Sequence, residues 1–76
     1  MKEIVEYLVK SLVEKPEKVA VTEDNSDFGK IVKISVDIDD KGRVIGKQGR
    51  IIKAIRQIAS AAAAKQGGKC RVEVSE

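Results

Sequence analysis

The chain has 76 residues, a formal net charge of +3, one cysteine and no histidine. We place a single small domain at residues 1–76, which buries only about 60% of the surface that the unfolded chain exposes. The lone Cys70 excludes a disulfide framework and favours a reducing compartment. No signal peptide is visible and no segment approaches the roughly 18 apolar residues of a membrane span, so we expect a soluble, cytoplasmic protein with no membrane contact.

The first predicted elements are a helix, a strand and a loop. Apolar residues recur at helical spacing from Ile4 to Val13, and Pro16 ends this helix at about Lys15. Residues 18–23 are short and β-branched, which predicts a strand. Residues 23–29 are rich in turn formers and predict a loop, in which Phe28 is expected to cover the core, away from any basic surface.

Residues 30–39 alternate apolar and polar side chains, which predicts a strand with one buried face. Its predicted inward residues are Val32, Ile34, Val36 and Ile38. The strand is expected to pair antiparallel with the preceding one. Asp39 or Asp40 then offers an N-cap for a short helix that Gly46 ends.

A longer helix is predicted from Arg50 to about Lys65, ended by Gly67 and Gly68. Its predicted buried face comprises Ile51, Ile52, Ile55, Ile58, Ala59 and Ala62. The last predicted strand has Cys70, Val72 and Val74 facing inward. The order helix-strand-strand-helix-helix-strand predicts an α+β fold. A crossover makes the last two strands parallel, so three helices cover one face of a three-stranded mixed sheet.

Positive charge is concentrated in residues 41–56, which carry six cations and no acidic residue. Residues 1–40 carry a net charge of −4, and residues 57–76 a net charge of +1. A basic segment on an otherwise acidic or neutral body is typical of an anion-binding surface, although a solvated helix face gives the same pattern.

Glycines within the basic segment predict a backbone that approaches a ligand closely. Gly42 and Gly46 are separated by three residues, and Gln48 follows Lys47, so the phosphate loop of nucleotide hydrolases does not fit. The three-glycine dinucleotide pattern does not fit either. What remains is G-x-x-G, residues 46–49, between two predicted helices. Such a turn exposes backbone N–H groups, and the positive end of the next helix favours a phosphodiester above it.

The stretch RVIGKQGRIIKAI resembles the signature of KH domains, an Ile-Gly-x-x-Gly loop followed by an aliphatic helix. The extra helix and strand precede the core unit, which is similar to the type II, or prokaryotic, arrangement. Over its whole length the chain resembles the small bacterial KhpA family of RNA-binding proteins. This resemblance implies a clamp on about four nucleotides of single-stranded RNA, and a role as an RNA chaperone or post-transcriptional regulator.

The resemblance also implies where RNA would bind. It places the clamp at Gly46, Lys47, Gln48 and Gly49, with Arg43, Val44, Ile45, Arg50, Ile51 and Lys53 around it. Ile52 is a further candidate for the apolar groove, and Arg71 and Val72 would form the other wall. The isoleucines are equally compatible with core packing. The resemblance implies no cofactor and no metal, and it implies a partner in a larger KH-containing protein of the KhpB (Jag-like) type.

The residues also bear on functions other than RNA binding. An enzyme is disfavoured, because the chain has no histidine, no metal-ligand cluster and no plausible nucleophile-base pair. A protein-interaction module, such as a homodimer with little RNA binding of its own, stays open. A helix-turn-helix DNA binder fits poorly, because the first of the two helices is too short.

Overall fold

The computed structural model describes residues 2–75. Its helices are α1 (Lys2–Leu12), α2 (Lys41–Ile45) and α3 (Arg50–Lys65), and its strands are β1 (Ala20–Asn25), β2 (Lys30–Ser35) and β3 (Cys70–Val74). Short 3-10 turns occupy Pro16–Lys18, Ile38–Asp40 and Lys47–Gly49. The predicted order of helices and strands is confirmed.

The three strands form one sheet in the order β1-β2-β3. β1 runs antiparallel to β2, with Val21 opposite Ile34. β2 runs parallel to β3, with Val32 opposite Val72. The predicted mixed sheet is therefore confirmed, and β3 is an edge strand beside which α3 packs.

The core lies between the helices and one face of the sheet. Its buried apolar residues are Val5, Val9, Val21, Val32, Ile34, Val44, Ile52, Ile55, Ala59 and Val72. α3 buries Ile52, Ile55 and Ala59 together with Ala63. The predicted buried face of α3 was too broad, because only these residues are buried and Ile58 is left exposed.

The contacts of Asp40 explain two differences from the prediction, one at the end of α1 and one at the start of α2. α1 ends at Leu12 rather than near Lys15. The backbone N–H groups of Glu14 and Lys15 donate instead to the Asp40 carboxylate, each at 3.1 Å. Asp39 or Asp40 was predicted to cap α2, and Asp40 does precede that helix, but its side chain is buried and makes no capping bond there. Its carboxylate accepts the hydrogen bonds of the backbone N–H groups that follow α1, and this fixes α1 against α2.

Two strand boundaries also differ from the prediction. β1 begins at Ala20 rather than at residue 18, and β2 ends at Ser35 rather than continuing to residue 39. The Asp37 side chain accepts a hydrogen bond from the Asp39 N–H at 2.9 Å. This bond stabilises a 3-10 turn after β2, so Ile38 points outward and is 78% exposed.

Candidate nucleic-acid interface

The G-x-x-G loop has a backbone that requires its glycines. Gly46 and Gly49 have φ angles of 76° and 74°. A Cβ atom added at Gly46 would lie 2.6 Å from Ile51 Cγ1, whereas one at Gly49 would meet nothing closer than 3.9 Å. Gly46 is therefore required by both its conformation and its packing, and Gly49 by its conformation alone.

The two central residues of the loop face solvent. Lys47 and Gln48 are exposed, and the Gly49 N–H donates to the Gly46 carbonyl at 3.1 Å, which closes the turn. Gln48 adopts a φ of 58°, a value that residues other than glycine rarely adopt. α3 begins at Arg50 with no side-chain cap and no acidic residue in its first turn. The positive end of its dipole therefore lies directly behind the exposed loop.

The cations around the loop differ in their pairing. Within residues 2–75, Lys47, Arg50 and Lys53 are exposed and have no ion-pair partner. The predicted contact Arg43, in contrast, donates from Nη2 to Glu14 Oε1 at 2.8 Å, and its Nε lies 3.3 Å from Asp40 Oδ1. Arg43 is thus held against the body of the protein, while the other three cations are available to a ligand.

The apolar candidates separate into core and surface. Val44 is fully buried in the core, and Ile52 is nearly so. Neither of them presents a surface to a groove. Ile45 is 38% exposed and Ile51 is half-buried, so these two side chains flank the loop. Burial therefore makes Ile45 and Ile51 the apolar neighbours of the exposed turn.

A second surface lies where α3 meets the free edge of β3. Arg56 Nε donates to the backbone carbonyl of Val72 at 3.1 Å. A shallow cavity beside this bond is lined by Phe28, Arg56, Ser60, Cys70, Arg71 and Val72. Arg71 and Val72, which were predicted to form the far wall of an RNA groove, line this cavity, and sequence reasoning missed that Arg56 and Phe28 lie beside them.

Phe28 lies where the sequence did not suggest. The ring was expected to cover the core, but it is 47% exposed and stands outside the core cluster. The Arg71 guanidinium carbon lies 4.9 Å from the ring centroid, and Lys69 Nζ lies 5.7 Å from it. The parallel register places Lys30 opposite Cys70, and this brings the β1–β2 turn next to cations forty residues away in sequence.

Residues 2–75 carry neither a metal-ligand cluster nor a helix that could span a membrane. These residues contain no group of three or more histidine, cysteine, aspartate or glutamate side chains placed to hold a metal ion. None of the helices in that range has the length and apolar character needed to cross a membrane.

Comparison with known proteins decides the family. The family model "KhpA/KhpB, KH domain" matches residues 2–74. The chain belongs to the KhpA/KhpB family of KH domains. The RNA-binding protein KhpA of Clostridium perfringens is 51% identical over 74 residues, which cover 97% of this chain and 99% of that protein. KhpA of Listeria monocytogenes is 46% identical over the full length of both chains.

Solved structures place the same fold within larger proteins. An Era variant from Aquifex aeolicus, bound to GDP and aluminium fluoride, superposes with a TM-score of 0.62 at 26% identity. A structure of Era in complex with a nucleotide analogue and a segment of 16S ribosomal RNA gives a TM-score of 0.63 at 27% identity. The match covers 97% of this chain but only 30% of each Era chain. The KhpA/KhpB chain therefore corresponds to less than a third of Era.

Proposed function

We propose that this protein binds single-stranded RNA as one KH domain, with the G-x-x-G loop clamping the sugar–phosphate backbone. The observation that carries the proposal is the exposure of Lys47 and Gln48 on a glycine-flanked turn at the start of α3. Relatives that match the chain along nearly all of its length are named RNA-binding proteins, which supports the same function.

Charge around the loop fits a phosphate backbone. Lys47, Arg50 and Lys53 are unpaired among residues 2–75, and a Cβ atom at Gly49 would lie 4.0 Å from Lys53 Cε. Lys53 therefore leans toward the loop from the first turn of α3. Together the three side chains neutralise phosphates, and the Gln48 amide donates to a phosphate or sugar oxygen. Arg43 stays in its ion pairs and stabilises the body of the domain.

The apolar flank favours unpaired bases. Ile45 and Ile51 present aliphatic surface beside the clamp, and a base reaches this surface only when it is turned out of a duplex. Phosphate contacts position the strand, whereas contacts to the bases select single-stranded RNA over duplex DNA. We propose that the protein acts in this way as an RNA chaperone or post-transcriptional regulator.

The decisive experiment reverses the charge of the loop. Binding of a labelled single-stranded RNA is measured by fluorescence anisotropy for wild type and for Lys47→Asp with Gln48→Asp. Aspartate tolerates the positive φ at position 48 comparatively well, so the fold is expected to survive. We expect RNA binding to be lost in the double variant. Lys18→Asp, an exposed lysine in the Pro16–Lys18 turn, is the control and retains binding.

A salt series gives an independent measure of the phosphate contacts. The logarithm of the binding constant is expected to fall with the logarithm of salt concentration by about 0.7 per phosphate neutralised on a single strand. Lys53→Gln is therefore expected to reduce the slope by about 0.7. A slope near zero for wild type would show that the cations have no part in binding.

The protein-interaction module stays the alternative, and a homodimer and a complex with a KhpB-type partner stay predictions. Light scattering during size-exclusion chromatography measures the mass of wild type and of the loop variant. RNA affinity that is unchanged in the loop variant, combined with a stable dimer, would favour the interaction module. Loss of RNA binding with unchanged mass supports the clamp.

A further inference from the structure

We propose that Phe28, together with Lys69 and Arg71, forms a stacking site for a base of the RNA strand beyond the G-x-x-G clamp. This proposal rests on the proposed RNA binding and extends it to a second contact. The site is defined by an exposed aromatic ring with two cations within 6 Å of its centroid. Nothing in the clamp requires it.

Phe28 is held in place by its turn rather than by the core. The Ser26 N–H donates to the Gly29 carbonyl at 2.8 Å, and the Gly29 N–H donates to the Ser26 carbonyl at 3.1 Å. The Lys30 N–H donates to the Lys69 carbonyl at 3.0 Å, and a Cβ atom at Gly29 would lie 2.6 Å from that same oxygen. The tight β1–β2 turn is therefore fixed against the start of β3, and this positions the backbone that carries the Phe28 ring.

The exposure of the ring is unexplained by folding. With 47% of its surface in water, Phe28 buries only about half of its side chain and takes no part in the core cluster. Aromatic rings beside cations are what proteins use to hold single strands, because every base has a face that stacks on a ring. The cations next to Phe28 supply both cation–π contact with the ring and charge for the adjoining phosphate.

The site continues the surface on which the clamp lies. The cavity lined by Phe28 is also lined by Arg56, Ser60 and Val72. It therefore lies along α3 and the edge of β3, on the side away from the loop. From Arg50 to Ser60 the helix rises by about 15 Å at 1.5 Å per residue. A strand held at the loop must run this distance to reach Phe28. A dinucleotide is too short to cover this distance and occupies the clamp alone, whereas a decamer contacts both sites.

The test varies two things, the length of the RNA and the side chain at residue 28. Anisotropy is measured with a labelled uridine dinucleotide and a labelled uridine decamer. Phe28→Ala is expected to weaken decamer binding roughly 5- to 150-fold, the range of one base–aromatic stack, and to leave dinucleotide binding unchanged. Phe28→Trp is expected to restore decamer binding. Tyr7→Ala, which removes an exposed aromatic from α1, is the matched control and retains wild-type binding.

Two further measurements separate stacking from structure and from charge. Phe28→Leu keeps an apolar side chain without an aromatic face, so it is expected to lose decamer affinity as Phe28→Ala does while keeping the wild-type melting temperature. The salt slope stays at the wild-type value in Phe28→Ala and falls by about 0.7 in Arg71→Gln.

The outcomes distinguish this proposal from the RNA-binding function on which it rests. Wild-type protein that binds neither oligonucleotide would overturn both. Wild-type binding with equal decamer affinity in Phe28→Ala or Phe28→Leu would overturn the stacking site and leave the clamp intact. Equal losses for dinucleotide and decamer would also overturn it, because Phe28 would then act on the fold or on the clamp itself.

Discussion

Arg56 Nε and the backbone carbonyl oxygen of Val72 lie 3.1 Å apart and form a hydrogen bond between α3 and the free edge of β3. This bond joins the two elements that border the proposed RNA path. The sequence placed Arg56 only among the six cations of residues 41–56 and gave no sign of this bond. In the fold its guanidinium donates to a backbone carbonyl that would otherwise bond to water, as unpaired groups of an edge strand do.

Arg56→Ala is expected to lower the free energy of unfolding by about 0.5–1.5 kcal/mol, the net contribution of one such bond. RNA affinity is expected to fall as well, because the border between α3 and β3 loosens and a cation is lost. Urea denaturation and anisotropy measure the two effects. Lys53→Ala is the comparison: it removes a cation without a structural bond, so only RNA affinity should change. Equal stabilities of Arg56→Ala and wild type would contradict the structural part.

The glycines at positions 42 and 46 provide a matched pair for testing the loop. Gly46→Ala places a methyl group against Ile51 in a backbone with φ of 76°, so we expect a loss of about 1–3 kcal/mol in stability. Gly42 lies in α2 with nothing within 4 Å of an added Cβ. Gly42→Ala is therefore expected to gain about 0.4–1 kcal/mol. Thermal and urea unfolding of both variants measure this, and a destabilised Gly42→Ala would contradict it.

Asp40 is expected to be the most sensitive polar residue for folding. Its buried carboxylate accepts hydrogen bonds from the backbone N–H groups of Glu14 and Lys15. Asp40→Ala leaves both donors without that acceptor, at about 1–3 kcal/mol for each donor that stays buried. The neighbouring Asp39 is exposed and, within residues 2–75, its side chain pairs only with the exposed Lys15 side chain, so Asp39→Ala should change stability by less than about 1 kcal/mol. Comparable urea midpoints for the two variants would overturn this assignment.

Cys70 is expected to be a slow nucleophile. Burial, followed by the negative charge of Glu23, raises the pKa of the Cys70 thiol above its ordinary value. A raised pKa means that the folded state disfavours the thiolate. This contribution to stability is present below the unfolded thiol's pKa and is lost as pH rises through the folded one. Alkylation by iodoacetamide at pH 8 should therefore be slower in the folded protein than in urea.

The pH dependence of that reaction provides the check. The ratio of folded to unfolded alkylation rates should increase as the pH rises toward the folded-state pKa. Glu23→Gln removes the second cause of the shift and should speed alkylation of the folded protein at pH 8. Rates that are equal in the folded and unfolded states at pH 8 would show that the environment of Cys70 does not suppress the thiolate.

The amino-acid sequence by itself determined the elements and the loop. Helical spacing, alternation and the glycines at 46 and 49 are local signals, and they predicted the element order, the mixed sheet, the extent of α3 and the KH resemblance. The helices, the strands and the loop depend on residues that lie within a few positions of one another, and the mixed sheet follows from their order, because a crossover connection makes two strands parallel. For the same reason the family could be recognised before any contact was known.

Only the tertiary structure decided which side chains face a ligand. Val44, Ile45 and Ile52 have the same apolar chemistry, but packing buries the first and the last and leaves Ile45 exposed. Asp40 and Phe28 were misjudged because their partners lie about 25 and 40 residues away in the chain. Burial and long-range contact depend on how α1, α3 and the sheet pack together, and no periodicity within one segment carries that information.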